Sequence, residues 1–502
     1  MFALIKDKIS PRGFVKICIG VSGLWFLILY PVLNVFYWDH LPRMMRTSRS
    51  SCDFSQYYSG ALVARHGMWD ALYPKPIPAI YSAEPEFQPL ILTPLFKKSA
   101  SRRGEWNYYP QISAPDSSIV STKISMLCDK IEGGYHYAYP PPLALILRPL
   151  ALLNYKNASD FWFAIMCFSY FGISIYASRI FRDLKGEGTY TEGFVALLPI
   201  IPTLLSSTMS TTLAIGNVSP LLGFMIAWGA YSWNHNRQLA LGVGILTLVI
   251  FKGIALSWCP LLLLKPLKKR TILTLVCATI VLNGFVLFHA GVGPYQLFFT
   301  EILPKANLSL GVGLQGLLKT IFGINPKTAI MVMNLILLGI IYLGYWLSQD
   351  RLKKGDSGRI IYPVLAATMA IFCICNPIVW PHHYFVNYLQ LPFAGWILWE
   401  ANQARGMWKN TILIMFALSM LFWCDGVFLT KNSYLMEWIK NTDNNPLFWG
   451  KMRSIVSGLV VYILPVTESL FILALAYRRL FLESKTKSLS ELSNRYHIST
   501  LN

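Results

Sequence analysis

Charged residues are scarce in this sequence. Of its 502 residues, 14% are Asp, Glu, Lys or Arg, whereas 54% are hydrophobic. This composition excludes an ordinary water-soluble protein, which needs more polar residues to cover a surface of this size. Many apolar runs are about 20 residues long, enough to cross a hydrocarbon core of about 30 Å. The sequence therefore predicts an all-α polytopic membrane protein with about 11 to 12 membrane segments.

The sequence also lacks several common signatures of enzyme and cofactor sites. We find no Gly-rich phosphate loop of the Walker type and no nucleophile elbow. The chain has no room for the soluble nucleotide-binding domain that an enzyme using nucleotide sugars needs. Its nine cysteines show no metal-type CxxC spacing. We therefore predict neither a metal nor a cofactor.

Positive charge is what the sequence has in excess, with a formal net charge of +20. Most Lys and Arg residues fall in short loops between apolar runs, as the positive-inside rule produces, so they do not require a nucleic-acid partner. The rule places both termini in the cytoplasm. Residues 1–475 then form the membrane domain and residues 476–502 a basic cytoplasmic tail. The predicted segments include Phe161–Ile180, Leu221–Trp233 and Thr271–His289.

A long outer loop, residues 39–139, follows the first apolar run and is expected to carry interfacial helices. Its middle, residues 76–125, is rich in Pro and Ser and has little periodicity, which indicates an insertion. The three prolines in the stretch Tyr135–Leu150 can start a helix, but the apolar part after them is too short to span. We expect an interfacial or re-entrant helix there. Residues 430–453 form a second polar outer loop.

The apolar run of residues 239–264 has two interpretations. Arg237 precedes it and four basic residues follow within residues 265–270, so both of its ends favour the cytoplasm. We therefore predict a hairpin of two short helices with Lys252 at its outer tip. The alternative is one ordinary span, which would place the basic cluster outside.

Asp53 lies in the outer loop shortly after the first membrane segment, with Tyr57 and Tyr58 following. A carboxylate at this depth is hydrated enough to stay ionised and close enough to the bilayer to meet a lipid headgroup. The alternative is that Asp53 only caps a helix starting at Phe54 or Ser55.

Other polar residues reach the same outer face in this topology, which rests on apolarity and Lys/Arg alone. A group of polar and titratable residues at one rim of a helical bundle indicates a site at the membrane boundary. These residues are Asp53, His136, Tyr137, Tyr139, Asn217, Lys252, Asn307, Trp380, His382 and His383.

The basic members of this group have more than one interpretation. Lys252, at the end of an apolar segment, meets a lipid-carried phosphate, snorkels, or pairs with Asp53. His382 and His383 donate a proton, form a hydrogen bond to phosphate, or have a structural role at a helix start. A metal site is not favoured, because the sequence has no further ligands at a useful spacing. His136 stacks on a sugar, shapes a groove, or belongs to an aromatic belt with its tyrosine neighbours.

Two cysteines, Cys52 and Cys128, lie in the first outer loop. They form a disulfide if that loop faces an oxidising compartment and their Cα atoms come close enough, and stay separate otherwise.

Taken together, these motifs resemble the polyprenyl-phosphate-sugar-dependent C superfamily of membrane glycosyltransferases, and in particular glycosyltransferase family 87, the α-mannosyltransferase-like group. The similar pieces are Asp53-Phe-Ser-Gln-Tyr-Tyr58 with Gly67 and Tyr73, Tyr139-Pro-Pro-Pro-Leu143 with Pro149, Gly216-Asn217, Lys252, Asn307-Leu-Ser309 and Trp380-Pro-His-His383. The resemblance covers residues of about 50 to 400 and implies that the acid in the first outer loop, here Asp53, is the catalytic base. It also implies a lipid-phosphate donor and a periplasmic acceptor. The segment 76–125 and the C-terminal part of the chain depart from the family pattern.

The expected reaction moves a hexose, mannose by this resemblance, from a polyprenyl-phosphate sugar to a hydroxyl of a glycan or glycolipid on the outer face of the cell (inner) membrane. Lys252, or else His382 or His383, would stabilise the leaving phosphate, and Asn217 and Asn307 would bind sugar hydroxyls. The rival from another class is a transporter or flippase for a lipid-linked sugar, and a third alternative is a relative that only binds glycolipid. Spans almost free of charge and no internal repeat favour the enzyme over the transporter.

Overall fold

The described parts of the chain are built from helices. The computed structural model describes residues 9–37, 52–69, 72–73, 137, 139–185, 189–206, 209, 212–213, 216–252, 266–302, 336, 339, 358–375, 390–403, 406–423 and 471. These residues contain no β-strand, and three helical stretches among them are long and apolar enough to cross a membrane. The three are Pro11–Asn34, Tyr155–Lys185 and Lys269–Ala290. The chain is therefore an all-α membrane protein, as predicted.

Several predicted features lie outside the described residues. They are the insertion 76–125, the loop 430–453, the tail 476–502 and the second arm of the hairpin, residues 253–264.

The first membrane helix changes its hydrogen-bond pattern part-way along. Helix α1 covers Pro11–Leu24 and follows Ser10, whose hydroxyl accepts a backbone hydrogen bond from the first turn. A π-helical turn, Trp25–Leu29, leads into α2, Tyr30–Phe36. Pro31 has no N–H to donate to the preceding turn, and the wider π turn accommodates the missing bond. The helix therefore continues past the proline.

Two short helices follow in the chain. Helix α3 covers Cys52–His66, and α4 covers Pro141–Leu147 and continues as a 3₁₀ turn, Arg148–Leu152. The start of α4 at the proline run is confirmed, since proline is well tolerated in the first helical turn. Helix α3 packs against α4 and against the 3₁₀ turn.

The longest helix, α5, covers Tyr155–Lys185 and measures about 46 Å at 1.5 Å per residue. It begins after Asn154, whose Oδ1 accepts a hydrogen bond from the Asn157 N–H at 2.8 Å. Arg182 and Lys185 occupy its last turn, where positive charge complements the helix dipole. Because α5 is longer than a hydrocarbon core of about 30 Å, it extends beyond the core.

The remaining helices complete the bundle. Helix α8 packs against both α5 and α9, and α9 packs against α10. A continuous buried apolar cluster joins α3, α4 and α5 to α8, α12 and α13. The bounds are α6 Tyr190–Leu197, α7 Ile200–Leu205, α8 Ser219–Asn234, α9 Gln238–Lys252, α10 Lys269–Ala290, α11 Gly293–Leu297 with the π turn Phe298–Ile302, α12 Gly358–Cys375, α13 Gln390–Gln403 and α14 Gly406–Trp423.

Helix α8 has an asparagine near each of its ends, and each asparagine binds an aspartate. Asn217, just before the helix, donates to Asp53, and Asn234, its last residue, donates to Asp183. We refer to these two parts of the bundle as the Asp53 end and the Asp183 end.

Candidate active site

Asp53 lies in the first turn of α3. The helix begins at Cys52, which contradicts the alternative that Asp53 only caps a helix starting at Phe54 or Ser55. A capping residue precedes its helix, whereas Asp53 is inside it, where the positive end of the helix dipole still favours a carboxylate. Its side chain is half-buried.

The Asp53 carboxylate is held by a buried amide from a distant part of the chain. The Nδ2 of Asn217 donates to Oδ2 of Asp53 at 2.5 Å, and Asn217 is fully buried. The Oδ1 of Asn217 accepts hydrogen bonds from the backbone N–H and the hydroxyl of Ser219. Because Ser219 fixes which end of the amide carries the oxygen, the NH₂ group must face Asp53. A hydrogen bond to an ionised carboxylate is stronger than a neutral one.

A tight turn before α8 positions Asn217. Gly216 has a φ of 65°, a left-handed conformation that glycine adopts without strain. The Asn217 N–H donates to the Thr212 carbonyl at 2.9 Å, and the indole N–H of Trp162 donates to the Gly216 carbonyl at 2.9 Å. The turn is therefore attached to α5 through Trp162.

Four aromatic side chains form a wall beside Asp53. The ring of Tyr57 lies 5.0 Å from the rings of both Tyr139 and Trp162, centroid to centroid, and Trp162 lies 6.4 Å from Phe251. These separations are typical of favourable aromatic pairs. The hydroxyls of Tyr57 and Tyr139 are 2.9 Å apart. Tyr57 is fully buried and Tyr139 is partly exposed, so Tyr139 is the member of this pair that reaches the surface.

The end of α9 lies against this wall. Phe251 is 6.2 Å from Tyr57 between ring centroids, and Lys252 is the next residue and the last of the helix. The backbone of Lys252 therefore lies at the Asp53 end, while its side chain lies outside the described part of the structure.

Tyr58 points away from Tyr57. Its hydroxyl donates to the Leu153 carbonyl at 2.7 Å. Burial raises the pKa of the Tyr58 phenol, with the charge of Arg65 opposing the shift. The hydrogen bond from this hydroxyl connects α3 to the segment after α4. Arg65 adds a bond to the Ala151 carbonyl in the same segment.

The segment that carries Tyr139 packs closely on α3. The hydroxyl of Tyr73 donates to the Tyr139 carbonyl at 2.7 Å, and that of Tyr137 donates to the Pro140 carbonyl at 2.9 Å. The Tyr137 ring lies over Gly60, so closely that a Cβ atom there would overlap it. Gly60 is thus required by this close approach.

Among the predicted site residues, the structure brings together Asp53, Asn217, Tyr57, Tyr139 and the backbone of Lys252, with Tyr58 facing elsewhere. The residues outside the described part are His136, Asn307, Trp380, His382, His383 and Cys128, together with the side chain of Cys52.

The sequence analysis missed three residues of this arrangement. Trp162 and Phe251 lie inside apolar runs, where nothing distinguishes them from lipid-facing or core residues. Ser219 had a usable signal, because Asn-x-Ser-Pro is typical of an Asx turn that precedes a helix.

This arrangement suits proton transfer next to a largely buried aromatic cluster, of which Tyr139 is the partly exposed member. An oriented carboxylate accepts a proton from a hydroxyl placed within hydrogen-bond reach. Aromatic faces with a few polar groups are common linings of small-molecule sites. Within the part of the chain that the structure describes, no group of three His, Cys, Asp or Glu residues is arranged to hold a metal.

The family model of glycosyltransferase family 87 matches residues 137–423, more than half of the chain. No curated protein and no solved structure matches the chain.

Proposed function

Because the chain belongs to glycosyltransferase family 87, we propose that this membrane glycosyltransferase transfers a hexose from a polyprenyl-phosphate sugar, and that this hexose is mannose. The acceptor is a hydroxyl of a glycan or glycolipid on the periplasmic face of the cell membrane. The chain crosses that membrane several times, with both termini in the cytoplasm. The observation that carries the proposal is the Asp53 carboxylate, which a buried amide orients beside an aromatic wall.

Asp53 is the general base. Its carboxylate takes the proton of the acceptor hydroxyl as the hydroxyl oxygen attacks the anomeric carbon, and the bond from that carbon to the phosphate oxygen breaks. The polyprenyl phosphate leaves with the electron pair, and direct displacement inverts the anomeric carbon. Base assistance of this kind contributes roughly 10²–10⁴-fold to the rate.

Lys252 stabilises the charge that grows on the departing phosphate, with His382 or His383 as the second choice. Fixed positive groups aimed at developing charge are a large source of rate enhancement. The position of α9 supports the choice of Lys252, since Phe251 packs on Tyr57 and brings the helix end to the wall beside Asp53. Tyr139, His136, Asn307 and Trp380 contact the sugars.

Asn217 positions Asp53 rather than binding a sugar hydroxyl. Its buried amide already donates to Asp53 and accepts from Ser219, which supports a role through the carboxylate. A base held in one orientation keeps the reacting atoms aligned, and small misplacements of such groups are costly.

The test uses purified protein in liposomes and a panel of radiolabelled polyprenyl-phosphate sugars, with Asp53→Asn as the matched control. Asparagine keeps the shape of the side chain and an oxygen that can accept from Asn217, so this variant should fold. We expect the wild type to consume one donor, and the variant to consume that donor roughly 10²–10⁴-fold more slowly.

Two results would contradict the proposal. Normal turnover by Asp53→Asn would remove Asp53 from the chemistry. Absence of turnover for every donor, with lipid-linked sugar moving between leaflets instead, would assign the chain to transport.

A further inference from the structure

A cavity of about 480 Å³ lies between the first membrane helix and α5. Its volume is within the range of roughly 300–1,000 Å³ that is usual for small-molecule sites. Trp162 and Gly216 line it, and both belong to the wall and the turn that surround Asp53. The cavity is therefore adjacent to the candidate active site.

One end of this cavity is polar. Five of its lining residues, here called the mouth, carry amide, hydroxyl or charged groups: Asn34, Lys156, Asn157, Ser159 and Asp160. The mouth combines one cation and one anion with neutral hydrogen-bonding groups. A phosphate site would concentrate positive charge, whereas this mixture of donors and acceptors suits the hydroxyls of a sugar.

The other end of the cavity is apolar. The first membrane helix and α5 run in opposite directions, as two ring contacts between them show. Phe26 stacks on Tyr170 with ring centroids 5.4 Å apart, and Tyr30 approaches Phe163 at 6.3 Å. The polar first turns of α5 and the C-terminal part of α2 therefore lie next to each other at the mouth. Away from the mouth the lining consists of Phe26, Leu27, Phe163, Met166, Cys167 and Phe168.

The cavity is deep and opens sideways. Lys156 and Phe168 are twelve positions apart on α5, which is about 18 Å along the helix. With the mouth at the membrane surface, that depth is more than half of a hydrocarbon core of about 30 Å. Phe168 is 63% exposed on the surface of a membrane helix, so the apolar end opens towards lipid. A water-soluble ligand would not extend this far into the hydrocarbon core.

The helix that carries Lys252 reaches the cavity only indirectly, through the contact of Phe251 with Trp162. Its described lining comes from the first membrane helix, from α5 and from the segment before α8, with no residue of α9. In a direct displacement the base and the leaving phosphate lie on opposite sides of the anomeric carbon. Because Gly216, next to the residue that orients Asp53, lines the cavity and no described residue of α9 does, the cavity fits the acceptor better than the donor.

We propose that this cavity binds the acceptor as a lipid-anchored glycan, with its hydrocarbon chain between the first membrane helix and α5 and its sugar in the mouth. From there the acceptor hydroxyl reaches Asp53 beside Trp162. This inference rests on the proposed glycosyl transfer and names the class of its acceptor.

The test is photolabelling of the full-length protein in liposomes, in the absence of any donor. The probe is a long-chain alkyl mannoside with a diazirine in its alkyl chain. We expect mass spectrometry to locate the label on the apolar lining, in peptides that contain Phe26 or Phe168. Ala164→Trp fills the cavity from a lining position that is exposed on α5. It should reduce labelling by roughly tenfold or more.

The matched control is Ile175→Trp, eleven positions further along α5 and therefore on nearly the same side of the helix, three turns from Ala164. Ile175 does not line the cavity, and its variant should label like the wild type. Both variants are checked for a monodisperse elution profile. If Ala164→Trp fails to fold, the label map of the wild type still decides, because label placed elsewhere overturns the proposal.

Competition separates the two substrates. An excess of unlabelled alkyl mannoside should abolish labelling, and an excess of sugar-free polyprenyl phosphate should leave it unchanged. Displacement by polyprenyl phosphate would assign the cavity to the donor chain and overturn the inference. If the cavity is labelled in a protein that turns over no donor, the glycolipid site is supported and the proposed glycosyl transfer is contradicted.

Discussion

The two ends of α8 use the same pair of residues in different surroundings. At the Asp53 end, the amide of Asn217 donates to Asp53 beside an aromatic wall and a cavity. At the Asp183 end, Oδ2 of Asp183 receives Asn234 at 3.2 Å, the Tyr362 hydroxyl at 2.7 Å and the Nε2 of His235 at 2.8 Å. That single oxygen therefore joins α5, α8 and α12.

This comparison shows that an aspartate bound by an asparagine is not by itself evidence of catalysis. At the Asp183 end the carboxylate connects three helices, and the guanidinium groups of Arg179 and Arg237 lie over the Tyr231 ring nearby, at 5.8 and 5.5 Å. Such a site has the character of a structural clamp. At the Asp53 end, by contrast, Trp162 and Gly216 next to the Asp53–Asn217 bond line a cavity of about 480 Å³.

The strongest way to test the comparison is to neutralise each aspartate in turn. We expect Asp53→Asn to lower kcat by roughly 10²–10⁴-fold because the base is lost, and to lower Tm only slightly, because the bond from Asn217 becomes a neutral one. Asp183→Asn should keep kcat near that of the wild type and lower the free energy of unfolding by about 1 kcal/mol, because charge-assisted bonds become neutral ones. Sugar-transfer assays and thermal unfolding in the same detergent measure both effects. Equal loss of activity in the two variants would contradict the distinction.

Replacing the two asparagines should separate the ends in the same way but with a smaller effect. We expect Asn217→Ala to lower kcat by roughly 10²-fold, since Asp53 loses its alignment. The lost donor also favours the protonated carboxyl, so the acid limb of the pH–rate profile should move to higher pH. Asn234→Ala, the matched change at the Asp183 end, should leave kcat and the profile unchanged. If the acid limb stays in place in Asn217→Ala, Asn217 is only structural.

A third pair of variants adds one methyl group beside the candidate site, at Gly60, and one away from it, at Gly395. A Cβ at Gly60 would overlap the Tyr137 ring, and one at Gly395 would overlap Val195. Gly60→Ala and Gly395→Ala should each lower the free energy of unfolding by about 1–3 kcal/mol, because the overlapped side chains must move. Only Gly60→Ala should also lower kcat, since Tyr137 lies two residues before Tyr139. Unchanged activity in Gly60→Ala at a reduced Tm would separate Tyr139 from the chemistry.

Much of the fold was predictable, because apolar runs in a membrane protein are helices. The predicted segments 161–180 and 221–233 lie within α5 and α8, which cover Tyr155–Lys185 and Ser219–Asn234. Both helices are longer than predicted. Helix α5 in particular begins and ends with polar residues that an apolar window does not include, although they continue the helical hydrogen bonds.

The candidate site was less predictable. The predicted topology placed Asp53 and Asn217 on one face of the membrane. They are 164 residues apart, however, and hydropathy does not predict that these two side chains form a hydrogen bond. Tyr57 and Tyr58 read alike in the sequence. Because successive helical residues point about 100° apart, one reaches Tyr139 and the other reaches the Leu153 carbonyl. Trp162 was hidden in an apolar run.

The length of α5 relates the site to the thickness of the membrane. Its polar residues Lys156 and Asp183 are 27 positions apart, about 40 Å along the axis, which is close to the full thickness of a bilayer with its headgroups. Asp183 is bound to α8 and α12, so α5 cannot tilt by itself. Hydrophobic mismatch in a thinner bilayer therefore acts on the whole bundle. The lipid chain length then affects the position of Trp162 and of the cavity relative to the membrane surface.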